Sequence, residues 1–280
     1  AFYNDRMSNI DKKTVDSFGK EWSRFDQTKM LNHEVIKNFN DYFDIFPWHS
    51  FDSSSEGFDM GCGSGRWAAL VAPKVGKLTC IDPSDAILIA KKNLEKYHNV
   101  EFIRASVSDD VLKEGSQDFG YSLGVLHHIP NTLSAIKSCV SLLKPGAPLL
   151  LYLYYNFDNR SYLYKIIWRL SDLMRRIISR LPSTIKNIIT DLIAITIYFP
   201  LAKLAKLIGY LGLDSSFIPL SYYKDRSLYT MRTDSRDRFG TPLEQRFTRK
   251  EIKGMLIESG LNNVRFSDTR PYWCVIGFKK

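Results

Sequence analysis

Cysteine is scarce in this 280-residue chain, with Cys62, Cys80, Cys139 and Cys274 the only four. No two stand at metal-ligand spacing and each lies in an apolar or glycine-rich context. A zinc module and a disulfide framework are therefore not expected, no metal site is predicted, and the thiols read as free groups in a reducing, cytoplasmic setting. Repeats and low-complexity stretches are lacking, which excludes solenoids and arrays. Residues Ala1–Lys20 are polar and mixed in charge, without the apolar centre of a secretory signal. In the most apolar part of the chain the longest uncharged run, Leu192–Ala202, has 11 residues, against the roughly 20 that cross a bilayer. The remaining composition is that of a globular protein, 44% hydrophobic and 25% charged, long enough for one large domain or a domain with a subdomain.

Charge is unevenly placed. The net charge is +9, and Asn156–Lys250 alone holds 17 Lys and Arg against 8 Asp and Glu, so the rest of the chain is balanced. Such a basic segment suits nucleic acid, an anionic membrane or an acidic small substrate, and a solvated helix face is the plainer alternative.

Phe58-Asp59-Met60-Gly61-Cys62-Gly63-Ser64-Gly65-Arg66 reads as strand, glycine turn, helix, a layout that lets backbone amides approach a nucleotide-like ligand. The glycines alternate, unlike G-x-G-x-x-G, and Asp59 stands two residues before the first. Asp82 closes the next apolar run, 21 residues after Gly61, where a ribose-binding carboxylate belongs. Two acids around the turn suit a ligand with a positive charge and no phosphates, such as S-adenosylmethionine. Asp59 would orient its amino end and Asp82 its ribose.

With these motifs the chain resembles the class I S-adenosylmethionine-dependent methyltransferases, in particular the group acting on small molecules. The resemblance covers about 51–153 and returns over 246–280. It rests on the glycine turn, on Ile81-Asp82-Pro83-Ser84, on 119–130 with Val125-Leu126-His127-His128-Ile129-Pro130, and on Leu142-Leu143-Lys144-Pro145-Gly146-Ala147. It implies an α/β, Rossmann-like fold: a seven-stranded, mostly parallel sheet with helices on both faces. Residues 1–50 would form an N-terminal helical cap, 51–155 the cofactor-binding core, 156–247 a helical insertion after the fifth strand, and 248–280 the completion of the core. The implied cofactor residues are Asp59, Gly61, Gly63, Gly65, Asp82, Pro83, Ser106, Val107, Gly124 and Val125, with S-adenosylhomocysteine as product. One departure stands out: the acid often found after the third strand is replaced by Ser106, with Asp109 three residues on.

Strands are expected at 58–60, 77–81, 101–103, 119–123, 148–154, 264–266 and 273–278. Helices should begin near Arg66, Asp85 and Thr132, with a shorter one near Asp109. Asp11–Phe46 reads as helical, and Trp22 is either a lid on the cofactor or a packing residue. Apolar positions at 163, 166, 167, 170, 173, 174, 177, 178 and 181 predict an amphipathic helix that Pro182 ends. Ile185–Leu213 reads as a second helical stretch interrupted at Pro200, and Ser221–Phe247 as a structured loop. The insertion would be a lid over the substrate pocket or a surface for lipid headgroups. His128, with His127 second, is the candidate base. Adjacent strand residues face opposite ways, so one of the two should reach the pocket. Tyr154, Tyr155, Tyr222, Tyr223, Arg232 and Arg238 are the candidate substrate contacts. The favoured reaction is O-methylation of a small, bulky or anionic acceptor: a glycan sugar, a lipid-linked intermediate or a secondary metabolite. A nucleic-acid partner is disfavoured, since the Asn/Asp-Pro-Pro-aromatic motif of base methylation is missing and no RNA-binding module is visible. RNA or protein methylation, and a non-catalytic protein that binds the cofactor or a membrane surface, stay open as alternatives.

Overall fold

The computed structural model describes residues 9–158, 161–215 and 217–280; the first eight residues of the stretch read above as lacking a signal lie outside that range. Helices α1 (Lys12–Arg24) and α2 (Asn32–Phe43) form the cap. Asp11 starts α1 by accepting a hydrogen bond from the Thr14 amide, which satisfies one of the donors a helix N-terminus leaves open. The core then alternates: β1 (Glu56–Met60), α3 (Ala68–Val71), β2 (Lys77–Ile81), α4 (Ala86–Asn93), β3 (Val100–Ile103), β4 (Phe119–Leu123), α5 (Thr132–Leu142) and β5 (Pro148–Tyr152). The insertion contributes α6 (Tyr162–Ile178), α7 (Ser183–Ile193), α8 (Phe199–Tyr210) and α9 (Leu228–Gly240). The chain closes with α10 (Arg249–Glu258), β6 (Leu261–Phe266) and β7 (Cys274–Lys279).

The seven strands form one sheet in the order β3-β2-β1-β4-β5-β7-β6, with β7 antiparallel to both neighbours and the rest parallel. Chain direction away from the centre reverses between β1 and β4. In such sheets the ligand crevice opens there, beyond the strands' carboxyl ends. Apolar side chains alternate between the faces: Leu149 and Leu151 join Phe58, Met60, Leu126 and Ile136 on one side, while Leu150 joins Leu78, Cys80, Tyr121 and Phe43 on the other. Both faces are dry, as a parallel sheet covered by helices requires.

Two glycines lock β1 against β4. Gly57 pairs with Phe119 and Phe58 with Gly120. A Cβ on Gly57 would stand 2.3 Å from the Phe119 ring, and one on Gly120 would stand 2.2 Å from the Phe58 ring. Each ring therefore occupies the space its neighbour's missing side chain leaves.

Three expectations are corrected. Near Asp109 there is a turn and no helix, closed by the Ser106 amide donating to Asp109 Oδ2 at 2.7 Å. Pro200 does not interrupt its helix: residues Ser183–Tyr210 run continuously, and the widened π turn Ala194–Tyr198 just before Pro200 absorbs its missing N–H. Within Ser221–Phe247 lies helix α9, started by the Ser227 hydroxyl accepting from the Thr230 amide. Most of its buried positions are polar – Thr230, Thr233, Ser235 and Arg236 – and only Met231 and Phe239 are large and apolar, so no apolar periodicity announced it. The insertion also has its own small core of Ile178, Ile193, Tyr198, Met231 and Phe239.

Candidate functional site

A cavity of about 1210 Å³ lies beyond the carboxyl ends of β1, β2 and β4, walled on the far side by α1 and the insertion. Its cofactor half is built from two turns. Gly61 and Gly63 adopt φ of +82° and +55°, values that favour glycine. The amides of Gly61 and Cys62 donate to Ile81 O at 2.7 and 3.1 Å. Asp82 ties the turns together: Oδ2 accepts from the Gly63 amide at 2.9 Å, and Oδ1 from the Ser84 amide and hydroxyl at 2.9 and 2.6 Å. Burial raises the Asp82 carboxyl above its ordinary range, opposed by these hydrogen bonds. The rest of this half is lined by Pro83, Ser106, Val107, Gly124, Val125 and Trp22. A Cβ on Gly63 would come 3.2 Å from the Trp22 indole, so α1 lays Trp22 directly over the glycine turn. Arg66 backs it, its guanidinium 5.6 Å from the Trp22 ring. A glycine turn, the Asp82 turn with an acceptor site of its carboxylate still open, and an aromatic cover fit an adenosyl ligand.

Two predicted cofactor residues are elsewhere. Gly65 does not line the cavity; its missing Cβ makes room for Leu94, 2.7 Å away, so it serves the packing of the turn on α4. Asp59 is also outside the lining and only 1% exposed. Strand alternation explains it: Phe58 and Met60 enter one core layer, so Asp59 points into the other. There the Tyr121 hydroxyl lies beside it and favours its charged form, a smaller effect than burial. Burial pushes this carboxyl up to about 8 from 3.8. With the folded value raised, the unfolded chain gives up its proton near pH 4 while the folded chain keeps it. Stability therefore falls as pH rises from about 4 to 8. Asp59→Asn removes that cost. Urea unfolding without ligand should show a gain for the variant that grows between pH 5 and pH 8, on the order of a few kcal/mol; an equal gain at both values would refute a buried proton on Asp59.

The acceptor half is aromatic and apolar, with a polar floor. His127 and His128 lie on the turn Leu126–His128, past the end of β4 and not on the strand. His128 lines the cavity and His127 does not. Of the two, His128 faces the cavity, placed there by turn geometry and not by strand alternation. His127 is corrected as a base: its ring stacks on Tyr154 at 3.8 Å, fully buried, and both its nitrogens lack a partner among the described residues. His128 Nδ1 stands 2.6 Å from Leu243 O. A carbonyl only accepts, so Nδ1 carries the hydrogen and Nε2 keeps its lone pair. Nε2 is buried without a partner among the described residues, and burial holds His128 below its ordinary value of 6.5.

Tyr154, Tyr155, Tyr222, Tyr223 and Arg238 line the cavity. Tyr154 donates to Asp237 Oδ2 at 2.5 Å, Tyr223 to Asp234 Oδ2 at 2.8 Å, and Arg238 to Glu244 at 3.0 and 3.1 Å. Arg232 does not reach it: its guanidinium is held by Asp191 at 3.0 and 2.8 Å, on the side of α7 away from the cavity lining. Sequence reading missed Asp234, Asp237, Glu21 and Arg246, all of which line the cavity. The i, i+3 spacing of Asp234 and Asp237 was a usable signal once α9 is recognised as a helix. Burial pushes Asp234 up to about 6.

Comparisons with known proteins agree with this geometry. A family model described as a methyltransferase domain matches residues 58–151. The ubiquinone biosynthesis O-methyltransferase of Chromobacterium violaceum is 29% identical over 153 residues, half of this chain and 62% of that protein. The protein of the same name from Dechloromonas aromatica is 31% identical over 173 residues, 58% of this chain and 70% of the relative. The chain thus spans about two thirds of these two relatives, and 47% of others such as that of Vibrio parahaemolyticus. An O-methyltransferase family protein from Burkholderia thailandensis shares the fold, with a TM-score of 0.53 at 16% identity over 94% of this chain and 58% of that one. Glycine turn, Asp82, strand order and relatives converge: the chain belongs to the class I, Rossmann-like S-adenosylmethionine-dependent methyltransferases.

Proposed function

We propose that this protein methylates an oxygen of an amphipathic acceptor, one with an apolar or aromatic body and a hydroxyl at its polar end. The observation that carries this is the Nε2 of His128, buried without a partner among the described residues, in a cavity it shares with the cofactor turns. The relatives' names, which specify O-methylation, support the same choice of atom. S-adenosylmethionine, when bound, supplies an electrophilic methyl group on a sulfonium. Gly61, Gly63, Asp82 and Trp22 would hold it. His128 would take the hydroxyl proton, and the Leu243 carbonyl keeps its ring in the right tautomer. Tyr154, fixed by Asp237, and Arg238, fixed by Glu244, edge the floor where the polar end would sit. Tyr164, Ile167, Trp168, Ile197 and Leu201 would surround the body. Such walls favour an amphipathic acceptor over a free sugar.

The basic insertion does not favour nucleic acid. Arg175, Arg232, Arg236, Arg238 and Arg246 all face carboxylates within the fold, leaving less of the excess charge for phosphates. Turnover of S-adenosylmethionine with phenolic acceptors, followed across pH, tests the reading. Because His128 is lowered and the base must be neutral, the acid limb should fall below 6.5. A limb at or above that value, or binding of cofactor without turnover on any hydroxylated acceptor, would count against it.

A further inference from the structure

The insertion carries an apolar outer face that its own fold does not cover. On α6, Leu170, Leu173 and Ile177 are each about 60% exposed, and on α7 Ile188 and Leu192 are more than half exposed. Soluble proteins rarely leave that much branched apolar side chain in water without a partner. The continuous helix Ser183–Tyr210 has a mean hydropathy of 1.7 over its most apolar window, only a third of which is buried.

By length and composition that helix is long enough to cross a bilayer. Its bonds exclude crossing, however, because two charged side chains in its first half, Lys186 and Asp191, are used against the rest of the domain. Lys186 donates to Gly240 O at 3.0 Å, and Asp191 accepts from both Arg24 and Arg232. A spanning helix would carry those groups into hydrocarbon without their partners. The helix is therefore anchored on one side and bare on the other, as in a helix that lies on a membrane surface.

Two further observations point to an anionic bilayer. Arg169 on α6, Arg180 in the turn that follows it and Lys203 on α8 are exposed and make no ion pair among the described residues. The exposed cations thus stand beside the exposed apolar stripe, as lipid headgroups above acyl chains require. In addition, Ile167, Met174, Ile197 and Phe217 are both exposed and part of the cavity wall. The acceptor half consequently opens onto the apolar face.

We propose that the α6–α8 face docks on an anionic lipid bilayer and that the acceptor enters the cavity from the membrane. The docking stands on the surface alone; the entry of an acceptor rests on the methyltransferase reading. The test is co-sedimentation of the whole chain with vesicles of phosphatidylcholine alone or mixed with phosphatidylglycerol. Binding to the mixed vesicles should be at least about tenfold tighter and should weaken with salt. Leu170→Glu with Leu173→Glu changes two exposed positions and should abolish that binding while leaving calorimetric affinity for S-adenosylmethionine unchanged. Arg169→Ala with Arg180→Ala should remove most of the preference for phosphatidylglycerol. No partition onto either vesicle overturns the proposal, as does binding indifferent to the paired glutamates. So does a concentration-dependent dimer in sedimentation velocity that Leu170→Glu dissolves, with no vesicle binding, because the face would then belong to a second copy. Vesicle binding without methyl transfer supports the docking and removes the methyltransferase reading; methyl transfer with no vesicle binding does the reverse.

Discussion

His128→Ala should lower turnover by roughly 10²- to 10⁴-fold, the usual contribution of a positioned base, while S-adenosylmethionine affinity stays within about twofold. The size follows from the isolation of Nε2. It is buried, lacks a partner among the described residues and lines the acceptor half. No other histidine takes its place, since His127 is stacked beneath Tyr154, off the cavity surface. His128→Gln is the second variant. It preserves bulk against Phe18, whose ring meets His128 edge-on at 5.0 Å, but cannot serve as a base. A purely structural His128 would show the opposite pattern: Gln near wild type, and both variants shifting unfolding midpoints as much as rates. Unchanged kcat in the alanine variant removes the base assignment.

Asp82→Ala should weaken cofactor binding by about 100-fold or more, read by calorimetry. Charge-assisted hydrogen bonds contribute roughly 1.5–3 kcal/mol each, and this carboxylate makes three that shape the site even without ligand. The alanine variant loses the ribose acceptor and frees the Gly63 amide from its hold on the second turn. Asp82→Asn separates the two losses. It keeps one acceptor oxygen, so it can satisfy either Gly63 or Ser84 but not both, and its affinity should fall between the parent's and alanine's. Equal affinity for parent and alanine would overturn the ribose role.

The core was legible because its chemistry and its packing use the same residues. Gly61, Gly63, Asp82, Gly124 and Val125 are turn residues at strand ends, so motif and geometry coincide. Seven strands followed from apolar runs between turn signals. Asp59 was misplaced although the information was present: the period of two that buries Phe58 and Met60 on one face turns Asp59 to the other. The insertion was harder. Helix α9 buries Thr, Ser and Arg where a helix ordinarily buries Leu, and its stability depends on long-range partners such as Glu34, which accepts from Thr230 at 2.6 Å and from the Ser227 hydroxyl at 3.1 Å. No local pattern encodes a bond across almost 200 residues. Arg232 was assigned to substrate on charge alone, and charge does not say which carboxylate a side chain faces.

The crossed pair of rings and glycines between β1 and β4 has a consequence for the chemistry above it. Phe58 over Gly120 and Phe119 over Gly57 act as a dowel joint: neither strand can slide along the other without driving a ring into a backbone or a Cβ. Three residues past that joint β1 delivers Gly61, and four past it β4 delivers Gly124, with Val125 so near that a Cβ on Gly61 would stand 2.5 Å from its methyl groups. The height at which donor turn meets acceptor turn is thus set from below, by four residues that touch neither ligand. In that sense the alignment of the methyl transfer is machined into the sheet before any substrate arrives.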